Sequence, residues 1–339
     1  MAPASRFPAA TPTARRSPTN FTRPPGADRR PARCSAASPP RSAPSSFFSS
    51  YWKPHAPFEV PEPWASMYDE VEFPLPDFVD LAYVQSLPLP VQKMILRGGA
   101  RPFETSAEDV QWKYRSYFAA CSQIDREVGA TLDVLDELGL RDSTLVIFCS
   151  DHGDQMLEHG LYGKNVFFEG SVRVPLMLAH PSIRPGPCDD LVESTDVLPT
   201  VIELCGLERP SCFQGRSLLG RIGSAPASAY EPRRYVFAEN VLPEVMTTPK
   251  LDNAYAPGRG VDGIRHPDAK MVRSKRWKYC YYVGHGEELY DLEKDPGEMR
   301  NRANDPACAG VKRELKDALL DWLITADEPD QIAPRWREV

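Results

Sequence analysis

The amino-acid sequence predicts an α/β fold: a partial, parallel-rich central sheet flanked by helices, then a small C-terminal antiparallel α+β subdomain with a closing helix. Three observations predict it. The runs "TLVIFC" (144–149) and "VPLMLA" (174–179) are continuously apolar and end in polar turns, the pattern of strands buried on both faces of a parallel sheet. Segments of helical period precede and follow them, which is the alternation of a layered α/β domain. Beyond about residue 225 the strands shorten, alternate with polar residues and are separated by turns, the texture of antiparallel hairpins.

The chain has 339 residues, enough for a sizeable core. Its first 47 residues are expected to be disordered. They are Pro, Ser, Ala and Arg with almost no apolar side chains, so burial cannot offset the entropy of ordering them. The α/β domain is expected over 48–225 and the antiparallel subdomain over 226–339. A net charge of −7 with scattered basic residues argues against nucleic acid as a partner. No apolar run approaches the roughly 18 residues of a membrane span, so no membrane partner is expected. Eight cysteines at irregular spacings, without a C-x-x-C pair, fit free thiols in a reducing compartment better than a disulfide framework, although the even count leaves room for a bridge or two. The leader lacks the apolar core of a secretory signal. The compartment stays open, with a lean to the cytoplasm, and so does the oligomeric state.

The elements follow in order. "SFFSSYW" (46–52) reads as a short aromatic strand that leads into a Pro-punctuated loop through "MYDEVEFPLPDF". Residues 106–139 form the clearest helix. Tyr114, Tyr117, Cys121, Ile124, Val128, Leu132, Leu135 and Leu138 recur at three- and four-residue steps, Thr105 and Glu108 offer a capping box, and Gly139 stops the helix. The strands 144–149 and 174–179 come next. "STDVLPTVIELCGL" reads as a helix capped by Ser194 or Asp196 and ended at Gly206. "RYVFAEN", "AKMVRSKRWKYCYYVG" and "EELYDLE" are shorter strands, and "GVKRELKDALLDWLITA" is an amphipathic helix.

The chemistry collects in "SDHGDQMLEHG" (150–160). Asp151 and His152 stand at the carboxyl end of an apolar strand, where open α/β sheets gather ligands. A carboxylate oxygen beside an imidazole nitrogen can ligate a divalent cation. From these residues alone a second reading stays open, in which Asp151 caps a turn and His152 is a surface residue.

The run "VIFCSDHGDQMLEHGLYGKNVFFEGSVRVPLMLAHP" resembles the sulfatase family of the alkaline phosphatase superfamily, in its choline-sulfatase and phosphonate monoester hydrolase branch. "KPHAP" upstream, "ESTDVLPTVIELCGL" and "QGRSLL" downstream, and "KMVRSKRWKYCYYVGHGEELYDLEKDPGEMRN" beyond them appear in the family's order. The resemblance covers roughly residues 48–325 and implies an alkaline-phosphatase-like fold. It implies that Asp151 and His152 are metal ligands, for calcium first and manganese or magnesium otherwise. It implies that Lys164 contacts the anionic ester group and that His55 lies near the leaving-group oxygen. Glu158 and His159 are expected to pack around the site, and Arg173 to pair with a carboxylate beneath it. His180, His266 and His285 are read as ordinary residues. The implied substrate is a small sulfate ester.

One part of the family pattern is absent. Family members carry C-x-P-x-R or C-x-A-x-R, whose cysteine is oxidised to the formylglycine nucleophile. Here Cys205 gives C-G-L-E-R and Cys212 gives C-F-Q-G-R, and neither fits. The family's upstream aspartate pair is also missing; Asp189-Asp190 reads as a solvated turn. The expectation is therefore a sulfuric-ester hydrolase in partial copy, inactive as written, resembling the C-terminal portion of the family. Two alternatives stay open: a phosphonate or phosphate monoester hydrolase of the same superfamily, and a non-catalytic remnant that binds an anion or a partner.

Overall fold

The structure, a computed structural model, describes residues 45–97, 105–210, 212–224, 230–240 and 269–326. The expected disordered leader lies almost wholly outside these residues, as do His266 and Cys34. Contact grouping separates residues 1–50 from 51–339. Within the first group, residues 45–50 are irregular, with Phe47 and Phe48 exposed, so the aromatic strand expected there does not form. Its side chains alternate over no core face, and nothing rewards pairing.

In the second group, two short helices open the described chain, α1 (Leu81–Ser86) and α2 (Leu89–Arg97). Asp80 caps α1 by accepting the Tyr83 amide proton at 2.8 Å. The long helix α3 (Ala107–Glu137) follows. Its capping box sits one residue later than expected: Ser106 pairs reciprocally with Asp109. Gly139, at φ 63, ends the helix in the left-handed region.

Strand β1 (Val146–Cys149) leads into a small hairpin, β2 (Gln155–Met156) with β3 (Tyr162–Gly163), then a one-turn helix α4 (Glu169–Val172) and strand β4 (Leu176–Ala179). The expectation of parallel pairing is corrected here. β1 and β4 pair antiparallel, with Val146 opposite Ala179 and Cys149 opposite Leu176. The reason is topological. Residues 150–175 leave and re-enter the sheet at the same end, whereas a parallel pair needs a crossover to the far end. Burial on both faces also fails, since Cys149 and Met177 are exposed. Helix α5 (Val197–Leu204) is preceded by a 3-10 turn whose capping box uses Glu193 with Asp196 rather than Ser194. After it comes the short α6 (Leu219–Ile222). Asp190 is not solvated: it accepts from Arg221 at 2.8 Å and from Lys275.

The largest sheet is antiparallel: β5 (Val236–Asn240), β6 (Ala269–Arg273), β7 (Trp277–Tyr282) and β8 (Gly286–Asp291) in sequential order. Alternation along its strands feeds two cores. Val272, Tyr279 and Leu289 face the closing helix α7 (Ala309–Ala326), where they meet Leu315 and Leu319. Trp322 of that helix stacks on Phe237 at 4.8 Å. Met271, Cys280, Tyr282 and Tyr290 face the other way, into a core shared with Val84, Val91 and Ile95 and with Leu161, Phe167 and Phe168. The excursion between β1 and β4 is thus seated on this sheet, and that seating positions the site.

Candidate active site

Strand β1 ends at Cys149, and Ser150 turns the chain by donating its hydroxyl to the His152 carbonyl at 2.8 Å. Asp151 stands just past the strand, its side chain 86 % exposed, and His152 beside it is 34 % exposed. Gly153 then presses against α4. Its amide donates to Ser171 O at 2.8 Å, and a Cβ here would lie 2.0 Å from the Gly170 oxygen. Only glycine permits that approach. The β2–β3 hairpin returns the chain in a register that pairs Gln155 with Gly163, which sets Asp154 opposite Lys164.

Lys164 meets a residue far away in sequence. Its Nζ lies 2.6 Å from His55 Nε2. The Nδ1 of His55 lies 2.6 Å from the Ala56 carbonyl oxygen. A carbonyl only accepts, so Nδ1 carries the proton, and Nε2 accepts from the ammonium. The hydrogen bonds therefore select one neutral tautomer. The His55 ring is 6.5 Å from that of His152 and 5.1 Å from that of Trp52. All four residues singled out from the sequence (Asp151, His152, Lys164 and His55) thus lie along one connected set of contacts.

Asp151 and His152 fit two positions on one divalent cation. Asp151 Oδ2 is 3.6 Å from His152 Nε2, a spacing that two donors can keep around an ion held at about 2.3–2.6 Å. The other ring nitrogen, Nδ1, donates to Gly153 O at 2.8 Å, so the Nε2 lone pair is left outward, as metal-bound imidazoles are commonly held. Among the described residues no group of three His, Cys, Asp or Glu forms such a cluster.

Asp154, which the sequence reading did not single out, lies among these residues. Its Oδ1 is buried without a hydrogen-bond partner among the described residues. Burial pushes its carboxyl up, against the fields of Lys164, His55 and His152, which draw it down. The signal was the hairpin register, which no periodicity announces in strands this short.

The residues expected to pack do so. His159 is 4 % exposed and lies flat on Phe168, ring centroids 3.6 Å apart, with Nδ1 bonded to the Tyr83 hydroxyl at 2.5 Å. Burial first, then the field of Lys278, lowers its pKa to about 4, so it is neutral. Glu158 accepts from the Tyr114 hydroxyl at 3.0 Å and from the Met156 amide at 2.5 Å. Arg173 is corrected. It is exposed, and no carboxylate pairs with it among the described residues. The arginine that does pair beneath this segment is Arg273, with Glu169 at 3.1 Å. His180 only accepts from the Ser182 amide in a turn. Cys205 and Cys212 are exposed, and every described cysteine is free.

Comparison with known proteins agrees with the motifs. A family model described as Sulfatase matches residues 36–207. The chain is 33 % identical over 266 residues to the choline-sulfatase of Rhizobium meliloti, covering 76 % of this chain and 46 % of that protein. It is 32 % identical over 267 residues to the Delta 4,5-hexuronate-2-O-sulfatase of Bacteroides thetaiotaomicron, covering 76 % of this chain and 50 % of that one. Among solved structures, the phosphonate monoester hydrolase of Agrobacterium radiobacter superposes with a TM-score of 0.69 at 26 % identity, over 81 % of this chain and 55 % of that one. The chain spans about half the length of the curated relatives it matches.

Proposed function

The chain belongs to the sulfatase family, and from that premise we propose that it carries the leaving-group and metal-binding side of a sulfuric-ester hydrolase site. The ligand is a small sulfate monoester. The observation that supports this reading most is the 2.6 Å contact between Lys164 and His55, which joins residues 109 positions apart beside His152.

The residues present suggest a division of labour. Lys164 offers a compact positive charge with three donors, suited to the oxygens of a sulfate group. Turning all three of its donors to the anion would release His55 Nε2, which a single one of them now holds. With Nδ1 committed to the Ala56 carbonyl, Nε2 is the ring atom that would take a proton from water and pass it to a leaving alcohol oxygen. A divalent cation of the kind the family uses, held by Asp151 and His152, would draw charge from the ester oxygens as a Lewis acid. The nucleophile's C-x-P-x-R box is absent from this sequence. The chain by itself is therefore proposed to bind sulfate esters without turning them over.

The test is calorimetric titration of the chain with 4-nitrophenyl sulfate in calcium, with nitrophenol release followed in parallel. Saturable binding without release is expected, and Lys164→Ala should weaken binding roughly 10- to 100-fold, as for a lost charge-assisted hydrogen bond. Release of nitrophenol dependent on His55 would overturn the inactive reading, and absence of binding would overturn the site. A second reading, a phosphonate monoester hydrolase site, is favoured by the likeness to the Agrobacterium enzyme. Tighter binding of an aryl phosphonate than of the matched aryl sulfate would select it.

A further inference from the structure

Trp52 has no part in the reading above. Its indole is 73 % exposed, yet its backbone is held in the turn that carries His55, whose amide donates to Trp52 O at 3.1 Å. The indole and imidazole planes stand 52° apart with centroids 5.1 Å apart. Two rings at that angle make an open notch rather than a closed stack. His55 is the residue assigned to the leaving oxygen, so the carbon skeleton of the alcohol begins within a few bonds of this notch. A large, open aromatic face beside a leaving group gains from covering another flat or C–H-bearing ring face.

The local charge narrows the choice. Lys53 follows Trp52 in the chain, its Nζ held by the Pro57 carbonyl and its charge partly balanced by Glu59. Lys164 is bonded to the same His55 that Trp52 touches. The lysines are offset by the carboxylates Glu59, Asp151 and Asp154, so charge alone does not recruit a cation. Among the described residues a cationic alcohol would find one aromatic face at Trp52 rather than a cage, whereas a neutral ring needs only that one face.

We propose that Trp52 is the specificity-determining platform for the alcohol half of the substrate, and that this half is an uncharged ring, aryl or glycosyl, rather than a quaternary ammonium alcohol. The proposal rests on the sulfate-ester reading of the site and adds the identity of the alcohol class. Sources of the ring are separated by the probes.

The full chain, its Trp52→Ala variant and its Trp52→Phe variant are titrated with inorganic sulfate, 4-nitrophenyl sulfate, N-acetylglucosamine 6-sulfate and choline sulfate. The expected result is that Trp52→Ala weakens binding of one or both ring esters about 3- to 10-fold and Trp52→Phe largely restores it. Inorganic sulfate should bind all three proteins alike, and choline sulfate no better than inorganic sulfate. The ester that loses affinity identifies aryl or glycosyl. Ring esters indifferent to Trp52, while inorganic sulfate still binds, would overturn the platform and leave the site reading intact. A Trp52-dependent gain for choline sulfate alone would overturn the neutral-ring assignment. No sulfate binding at all would bring down both.

Discussion

His159 is sealed between Phe168 and Tyr83, and its pKa falls to about 4 from an ordinary 6.5. Its contribution to stability is full above pH 6.5 and is lost as pH falls toward 4, because only the unfolded imidazole gains a proton in that window. Glu288 behaves oppositely. It is buried under the hydroxyls of Tyr282 and Tyr290, and burial raises its pKa to about 7 from 4.5. Its contribution is full below pH 4.5 and is lost as pH rises through 7. Each effect is roughly 2–3 kcal/mol between pH 7 and 4.5, and the two oppose each other. Urea unfolding at both pH values checks this. On acidification His159→Phe should gain stability relative to the parent chain by about that amount, and Glu288→Gln should lose it. Parallel pH slopes in all three proteins would refute the assignment. Neither shift could be read from sequence, since "LEHG" and "EELY" give the residue types but not what closes over them.

At the scale of elements, the site excursion is fastened to the large sheet by one buried cluster. Lys278 on β7 is fully buried, and its ammonium meets Phe167 O, Glu169 and Glu298 at 2.7 Å each. Glu298 also accepts the Glu169 amide at the start of α4, and Arg273 on β6 braces Glu169. Removing the lysine leaves two carboxylates partly or wholly buried, so Lys278→Met should cost about 3–5 kcal/mol. It should also speed amide exchange at Gly153, whose proton is held by Ser171 in α4. Unchanged exchange with lowered stability would show that the cluster does not reach the site. The strands β5 to β8 and α7 were legible, because their apolar residues alternate or recur at helical steps. So were α3 and the placing of Asp151 and His152 at the end of β1. The direction of the β1–β4 pairing was not, since a continuous apolar run reads alike in parallel and antiparallel sheets. Helices α1 and α2 were not read from the sequence; Pro88 and Pro90 stand at the start of α2, where proline is tolerated.

Across the whole molecule, one antiparallel sheet with helices on both faces supports the β1–β4 excursion, and a Pro-punctuated loop brings His55 over it. The family motifs announced which residues belong to the site. They could not show that Lys164 and His55 touch, because that contact spans 109 residues, or that Trp52 stands open beside His55, because exposure depends on what the rest of the fold leaves uncovered. The most direct measurement follows the imidazole nitrogens by NMR while sulfate is added to the calcium-loaded chain. His55 and His152 should shift together with one dissociation constant, His180 and His285 should stay fixed, and Lys164→Ala should raise that constant roughly 10- to 100-fold. Separate dissociation constants for His55 and His152, or a response that survives Lys164→Ala unchanged, would contradict a shared anion site.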